Sequence, residues 1–544
     1  MNGILFIVVA LILFFLSYRF YAKFLSEKIW KLDPKAVTPA HKFNDGFEYV
    51  PSRKSLVWGH HFTSIAGAAP IVGPIIAAIW GWLPGLLWIV FGTIFMGAVK
   101  DFGALMTSLR HEGRGIADYL KELMGPGAMK LMYVVVFFVL VLVSAVFIHI
   151  IAIFLSNFPE ATLSIWIEIP LAIIIGCIAY YKLRVNLFAS AFLAVVIMYA
   201  FIWVGVQWPI PLTYSTWVLI LLAYMLIAAR LPIWFLVQPR DTINAYQLFI
   251  ALGIITIGVF ALGGAAEVAA PAIRVAPPGA PPIWPFVMIV IACGAMSGWH
   301  SLVASGTTPK QIDKEPDAKF VAYGGMLGEG YLAVIALLTA VVGLGAVGYA
   351  EFYGEWGAAS WPLIWAEGGS TFLGALGIPA VYALTFMTVV VVSFAMTTLD
   401  SAMRFTRIAV AESAKTFKLP KILQGRTVSL LPGIAVIAAL ALAKYQMALW
   451  PLFGATNQIL AGLSLLAAGV FLWTLGRRSL YYIIPFIIAI VTSMTAMAYM
   501  VIVKWIPGGE WVLAGIGIVV FLCALGVVIL ASQTWRAKAK GAEK

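Results

Sequence analysis

The sequence predicts an all-α polytopic membrane protein with about fifteen transmembrane helices, taking roughly 20 apolar residues for each crossing. Three observations predict it. Of 544 residues, 62% are hydrophobic and only 11% are charged, whereas soluble domains carry roughly 25% charged residues. The apolar residues fall into runs of membrane-crossing length with short connections, and no stretch is large enough for a separate soluble domain. One run, WGHHFTSIAGAAPIVGP at 58–74, contains Gly67, Pro70, Gly73 and Pro74, which a continuous helix tolerates badly. Freed backbone groups survive at membrane depth only inside protein or beside a wet cavity, so this run predicts a discontinuous helix of the kind that forms substrate sites in secondary transporters.

The net charge of +12 is not spread as a nucleic-acid surface would need. Lys and Arg collect in 19–54, 110–130, 182–184, 310–319, 404–426, 477–478 and the tail from Arg536. The alternate connections hold little beyond Arg274, Lys444 and Lys504, set against Glu160, Glu267, Glu351, Glu355 and Glu367. That asymmetry predicts a cytoplasmic basic face, with the N-terminus outside and the C-terminus inside. Cys177, Cys293 and Cys523 all lie in apolar runs, which suggests small core residues rather than a disulfide framework or a Cys-rich metal site.

Taken in order, 3–18 is the first span, because it lacks the basic leader and small-residue cleavage site of a signal peptide. The basic, aromatic stretch Arg19 to Lys54 is expected to lie along the headgroups. Spans near 57–80, 83–109, 128–155, 164–181 and 186–207 make a set of five, and two more, near 216–237 and 243–263, precede a proline-rich loop (APPGAPP) read as a structured cap or linker. Spans near 284–303, 320–348, 378–400, 428–443 and 449–474 make a second five, followed by 480–503 and 511–532.

His61 is followed by Gly67 at six residues and Pro70 at nine, and His300 by Gly306 and Pro309 at the same intervals. The two runs cross in opposite directions, as an inverted repeat of broken helices would. The expected organisation is therefore 1–56 as N-terminal span and basic segment, 57–208 as the first half-repeat, 209–283 as inserted spans and loop, 284–475 as the second half-repeat, and 476–544 as peripheral spans and tail.

The strings GHHFTSIAGAAPIVGP, VKDFGAL, FLVQPRDTINAY, CGAMSGWHSLVASGTTPKQI, YGGMLGEGYLA, TTLDSAMRFTR and FGATNQILAGLSLL, from about Trp58 to Leu466, resemble the carbon starvation protein A (CstA) family. The resemblance implies an inner-membrane, proton-coupled uptake system for pyruvate or small peptides, with a LeuT-like core of the amino acid–polyamine–organocation superfamily. The chain departs from longer members by compact loops and a short tail, which leaves pyruvate and peptide both open as substrate.

Free N–H groups and positive dipole ends at half-helix N-termini suit a carboxylate, and Gly67, Ala68, Gly306 and Thr307 are expected to line such a site, with Ser64, His61, Gly298 and His300 beside them. The alternative for the small residues is tight helix packing. His60, His61 and His300 are candidates for proton coupling or substrate contact, for quiet backbone bonding, or for a zinc site lacking a visible fourth ligand. Carboxylates at membrane depth are costly, so Asp101, Glu168, Glu329 and Asp400 stand out. Glu329 is the first candidate proton carrier; Asp101 could instead pair with adjacent Lys100, and Asp400 with Arg404 one turn on. Ser393, Thr397, Thr398 and Asp400 form a possible cation site, since LeuT-like relatives place hydroxyl ligands for sodium on this span, although such hydroxyls commonly bond their own helix. Gln238, Arg240 and Asp241, with Asn457 and Gln458, complete the set; Arg240 is expected near the inner mouth, steering an anion or anchoring a loop.

The expected function is import of a small carboxylate by alternating access with protons as coupling ion and no resident cofactor. The alternatives are peptide uptake, a membrane-embedded His-liganded metalloenzyme, and a passive channel.

Overall fold

The structure is a computed structural model that describes all residues except 47, 181–185, 233, 359, 444–445 and 543–544. Lys182, Arg184 and Lys444, used above for the charge pattern, lie outside the described residues. Among the described residues the regular structure is helical, with two isolated β-bridges and no strand. The principal helices are α1 (Ile4–Trp30), α2 (Lys54–Ile65), α3 (Ala69–Trp80), α4 (Trp82–Leu109), α5 (Pro126–Asn157), α6 (Pro159–Ala179) and α7 (Phe188–Gln207). They continue with α8 (Tyr214–Ala228), α9 (Val237–Ala265), α10 (Ile283–Val290), α11 (Gly298–Gly306) and α12 (Lys319–Gly343). The last six are α13 (Trp361–Gly374), α14 (Ala380–Thr416), α15 (Val428–Leu442), α16 (Ala448–Thr474), α17 (Leu480–Trp505) and α18 (Trp511–Arg536). Eleven of the described helices are long and apolar enough to cross a membrane, and α2 with α3 pass the same test as a pair bent by 49°.

Burial separates centre from periphery. The most apolar windows of α5, α12, α14 and α16 are 83%, 89%, 78% and 94% buried, whereas those of α1, α7, α9 and α18 are 28–39% buried and expose Leu, Ile, Val and Phe as lipid-facing helices do. α1 does not stop at residue 18. Ala22, Leu25, Ile29 and Trp30 prolong its buried stripe at helical spacing, and Trp30 Nε1 donates to Tyr482 Oη at 2.6 Å, so 19–30 is span rather than a separate headgroup helix. Arg19, Lys23 and Lys28 point away on the exposed side.

The stretch between the spans expected at 320–348 and 378–400 also holds a helix, α13. It buries Trp361, Ile364, Trp365 and Phe372 against its neighbours, and Trp365 Nε1 donates to the Met387 carbonyl at 2.8 Å. Glu367 therefore stands on a helix, not in a loop. The proline-rich segment is an ordered cap: Trp82 N–H donates to Pro271 O at 3.1 Å, Arg274 N–H to Trp80 O at 2.8 Å, and Trp356 N–H to Pro278 O at 2.8 Å. At the other end of the bundle the basic connections interlock, through Lys310 with Glu48 at 2.8 Å, His41 with Asp313 at 2.8 Å and Arg110 with Glu315 at 2.7 Å.

Candidate functional site

Two helices are interrupted in the interior. The first break, at 66–68, falls where Gly67 was expected to place it. A Cβ at Gly67 would stand 2.6 Å from Thr398 Oγ1 and 2.9 Å from Phe147 Cε2, so this residue must be glycine for α5 and α14 to close on the break. The second break corrects the spacing argument. It occupies 291–297, before His300, while Gly306 is the last residue of an intact α11 and Thr307 is its C-cap. The matched intervals from His61 and His300 therefore do not superpose the two breaks. Gly306 abuts Phe405, and Gly306 and Thr307 lie at the opposite end of α11 from the break.

The second break stands because neighbouring side chains satisfy its buried backbone. Trp88 Nε1 donates to the Met288 and Ile291 carbonyls at 3.1 and 3.2 Å, Thr93 Oγ1 to Gly294 O at 3.0 Å, Trp450 Nε1 to Val290 O at 3.1 Å and Gln458 Nε2 to Met288 O at 2.6 Å. Lys100 Nζ donates to Ser297 O. Asn457 caps α11 from α16: its Oδ1 accepts from the Trp299 N–H at 2.8 Å and its Nδ2 donates to Ser297 Oγ at 3.0 Å. Its own backbone lies so close to Gly298 that no Cβ fits there. The breaks touch through Trp299, whose Nε1 donates to Ser64 O at 2.8 Å. Asn457→Leu is expected to leave the buried Trp299 N–H without a partner and to cost about 1–3 kcal/mol, read as a lower thermal midpoint of the purified protein; an unchanged midpoint would contradict the capping role.

At this second break sits a fully buried chain of charge. His300 Nδ1 is 3.0 Å from Asp101 Oδ2 and its Nε2 is 3.1 Å from Glu329 Oε2, with all three side chains at 0% exposure. Asp101 Oδ1 also contacts the Lys100 ammonium. The expected alternative of a Lys100 pair is thus present together with the His300 contact, deep inside rather than at the inner surface. His61 is buried, bonds Thr308 Oγ1 through Nδ1 at 2.9 Å, and lies within electrostatic reach of Asp101 and His300. His60, next in the chain, faces away and pairs with Asp241 Oδ2 at 2.9 Å. The three histidines therefore do not converge on a common metal. Cys293 Sγ, His300 and Glu329 do bring ligand atoms within 4.8 Å of one another. Cys293 is engaged by Ser297 Oγ at 3.1 Å and Asn457 Nδ2 at 3.4 Å, and the Lys100 ammonium, in contact with Asp101 on the far side of His300, places a positive charge near this set.

A second buried ionic cluster lies between α6, α8, α9 and α14. Arg240 Nε meets Glu168 Oε1 at 3.0 Å, Arg240 Nη1 meets Asp400 Oδ2 at 2.9 Å, and Tyr224 Oη donates to the same Asp400 oxygen at 3.0 Å. Arg240 is thus in the core, not at a mouth. Asp400 does not pair with Arg404, whose Nη2 instead donates to the Ala228 carbonyl at 3.1 Å. Of the remaining candidate cation ligands, Thr397 Oγ1 accepts from Asn244 Nδ2 and Thr398 Oγ1 bonds its own helix at Phe394 O at 3.1 Å, while Ser393 is fully buried on α14 with no close hydrogen-bond partner for its hydroxyl among the described residues. Gln238 is exposed. Ala68 is fully buried at the N-cap of the helix that follows the first break. Lys100 and Trp299 are the residues whose structural weight went unforeseen, whereas Asn457 was in the candidate set; a lysine within the apolar run 98–109 was the available signal for the first.

Two interrupted helices in contact inside an all-helical bundle, with ionisable side chains gathered at the interruption, define an integral membrane protein organised around a polar interior. The chain belongs to the family described as Carbon starvation protein CstA, whose pattern it matches over residues 2–354 and 357–496. It is 31% identical to "Peptide transporter CstA" of Escherichia coli (strain K12), over 91% of this chain and 80% of that protein. It is 30% identical to the protein of the same name from Bacillus subtilis (strain 168), over 98% and 97%. It is also 35% identical to "Pyruvate/proton symporter BtsT" of Escherichia coli (strain K12), over 62% of this chain and 49% of that protein. The family resemblance read from the short strings is thereby borne out.

Proposed function

We propose that this protein is a secondary active transporter that imports a small carboxylate, pyruvate, in symport with protons by alternating access. One observation carries the proton. His300 gives its Nδ1–H to Asp101, which turns Nε2 toward Glu329 Oε2 at 3.1 Å. A neutral imidazole nitrogen and a carboxylate oxygen are both acceptors, and at 3.1 Å in a fully buried site, with no other hydrogen-bond partner for either atom among the described residues, they favour a shared proton. That proton is held at a helix break, where its arrival or loss can bias the packing of α11 against α4 and α12. Protons are preferred to sodium because Asp400, the acidic member of the alternative cation site, is engaged by Arg240.

The carboxylate is assigned to the first break, where Gly67 and Ala68 begin α3 and present its positive dipole end. The relatives' names support transport of pyruvate or of peptides, both of which carry a carboxylate, and peptide uptake is the second reading because the relatives that span most of this chain are named for it. The architecture put forward is a LeuT-like five-plus-five repeat over 57–208 and 284–475, flanked by 1–56 and 476–544 and interrupted by 209–283. Its fifteen crossings are the eleven long helices, the bent pair α2–α3, the pair α10–α11 and the shorter α8 and α15. The interlocked basic end faces the cytoplasm of a cell membrane. Purified protein in liposomes is expected to exchange labelled for unlabelled pyruvate, and competition by di- and tripeptides ranks the two substrates; exchange of neither would contradict the assignment.

A further inference from the structure

We infer that Lys100 is the positioning residue that transmits proton occupancy of the His300 site to the second helix break. The inference rests on the coupling reading above and adds a mechanical link that neither a family name nor a motif supplies. Lys100 is fully buried on α4, an apolar position where an ammonium is costly unless every donor is used. Its ammonium meets two unlike partners, one by charge contact and one by a hydrogen bond. One is Asp101 Oδ1, the carboxylate whose other oxygen holds His300 Nδ1. The other is the carbonyl of Ser297, the N-cap of α11 and the last residue of the break. The contacts therefore run without interruption from Glu329 through His300, Asp101 and Lys100 to the backbone of the broken helix.

The remaining contacts of the break give this one its meaning. The carbonyls at 288, 290, 291 and 294 are held by neutral donors, from Trp88, Thr93, Trp450 and Gln458, whose strength does not depend on nearby charge. The Ser297 carbonyl alone among these depends on a cation shared with the proton site. With the proton in place, Asp101, His300, Glu329 and Lys100 carry no net charge, and Lys100 divides itself between Asp101 and the carbonyl. When the proton leaves, the same four groups carry one uncompensated negative charge, and Lys100 is drawn from the carbonyl toward the carboxylates. Ser297 then loses its donor at the hinge of α11. The groups that face this ammonium are Asp101 on its own helix, the Ser297 carbonyl, and His300 and Glu329 across from α11 and α12, with His61 of α2 adjacent.

The test compares two fluxes in proteoliposomes of the full chain: labelled pyruvate exchange at equal pH, and protons carried per pyruvate, read with a pH-sensitive dye inside the vesicles. Lys100→Met is expected to keep exchange while the proton-to-pyruvate ratio falls at least about fivefold, the lower end of ordinary coupling between sites; Lys100→Arg, which keeps the cation, is expected to restore part of the ratio. If Lys100→Met does not fold, Lys100→Gln, which keeps a neutral donor beside the Ser297 carbonyl, is expected to keep exchange and lose the ratio in the same way. A ratio equal to wild type in these variants overturns the role of Lys100 alone. Exchange and ratio lost together in a folded variant also overturn it, because that is the signature of a structural part. A wild-type protein that moves no protons with pyruvate overturns the coupling reading and this role with it.

Discussion

Glu329→Gln is expected to abolish pH-driven accumulation of substrate while leaving substrate exchange measurable. Glutamine keeps the size of the side chain but holds its amide hydrogens permanently, so it can donate to His300 Nε2 without ever releasing a proton. The site is then locked in a loaded-like state. Coupling free energies between sites of about 1–3 kcal/mol correspond to about 5- to 150-fold, and accumulation should fall within that range toward the level set by exchange alone. The measurement is uptake of labelled pyruvate into proteoliposomes with an alkaline interior, set beside exchange at equal pH. Undiminished accumulation in this variant would remove Glu329 from the mechanism.

The second large effect concerns the Arg240 cluster and is one of stability. Arg240 is held at 0% exposure by Glu168 and Asp400. Arg240→Met leaves two carboxylates facing each other without a cation, and breaking a buried pair from one side costs about 3–5 kcal/mol. A marked fall in thermal midpoint, or failure to fold, is expected. The informative control is the triple variant Arg240→Met, Glu168→Gln and Asp400→Asn. Removing all the charges together is far less costly than removing one, so this variant should recover much of the loss. A single variant as stable as wild type would show that the cluster is not a structural lock.

Much of this was legible in the residues. Composition and the lengths of apolar runs settle the all-helical, many-span class, and the crowding of Gly67, Pro70, Gly73 and Pro74 marks the first break because those residues act through their own backbone. The second break is not legible in the same way. Its carbonyls are satisfied by Trp88, Thr93, Lys100, Trp450 and Gln458, which are distant in sequence, so the local composition of 291–297 shows little beyond Gly294 at φ 87°. The repeat of intervals after His61 and His300 drew attention to the correct helix but to its wrong end.

Glu329 and Asp101 were recognisable as costly carboxylates, and their convergence on His300 is a tertiary fact. Sequence proximity misled twice. Asp400 has Arg404 one turn away, yet it takes Arg240 from α9, because a partner on a facing helix lies wholly inside the bundle while Arg404 finds the carbonyl of Ala228 at the end of α8. Arg240 itself, in the polar-looking string QPRD, turns into the core because Gln238 can take the exposed side of the helix start. α13 was missed because fourteen residues are too few to cross a membrane, and its glycines and Glu367 make it look like a connection.

The central claim is that a proton held between His300 and Glu329 drives the substrate. The most direct measurement is uptake of labelled pyruvate by proteoliposomes of the wild-type chain under two separate gradients, pH without sodium and sodium without pH, with internal pH recorded throughout. The account predicts accumulation against a concentration gradient under the pH gradient, accompanied by internal acidification, and none under sodium. Accumulation that follows sodium and ignores pH would contradict it.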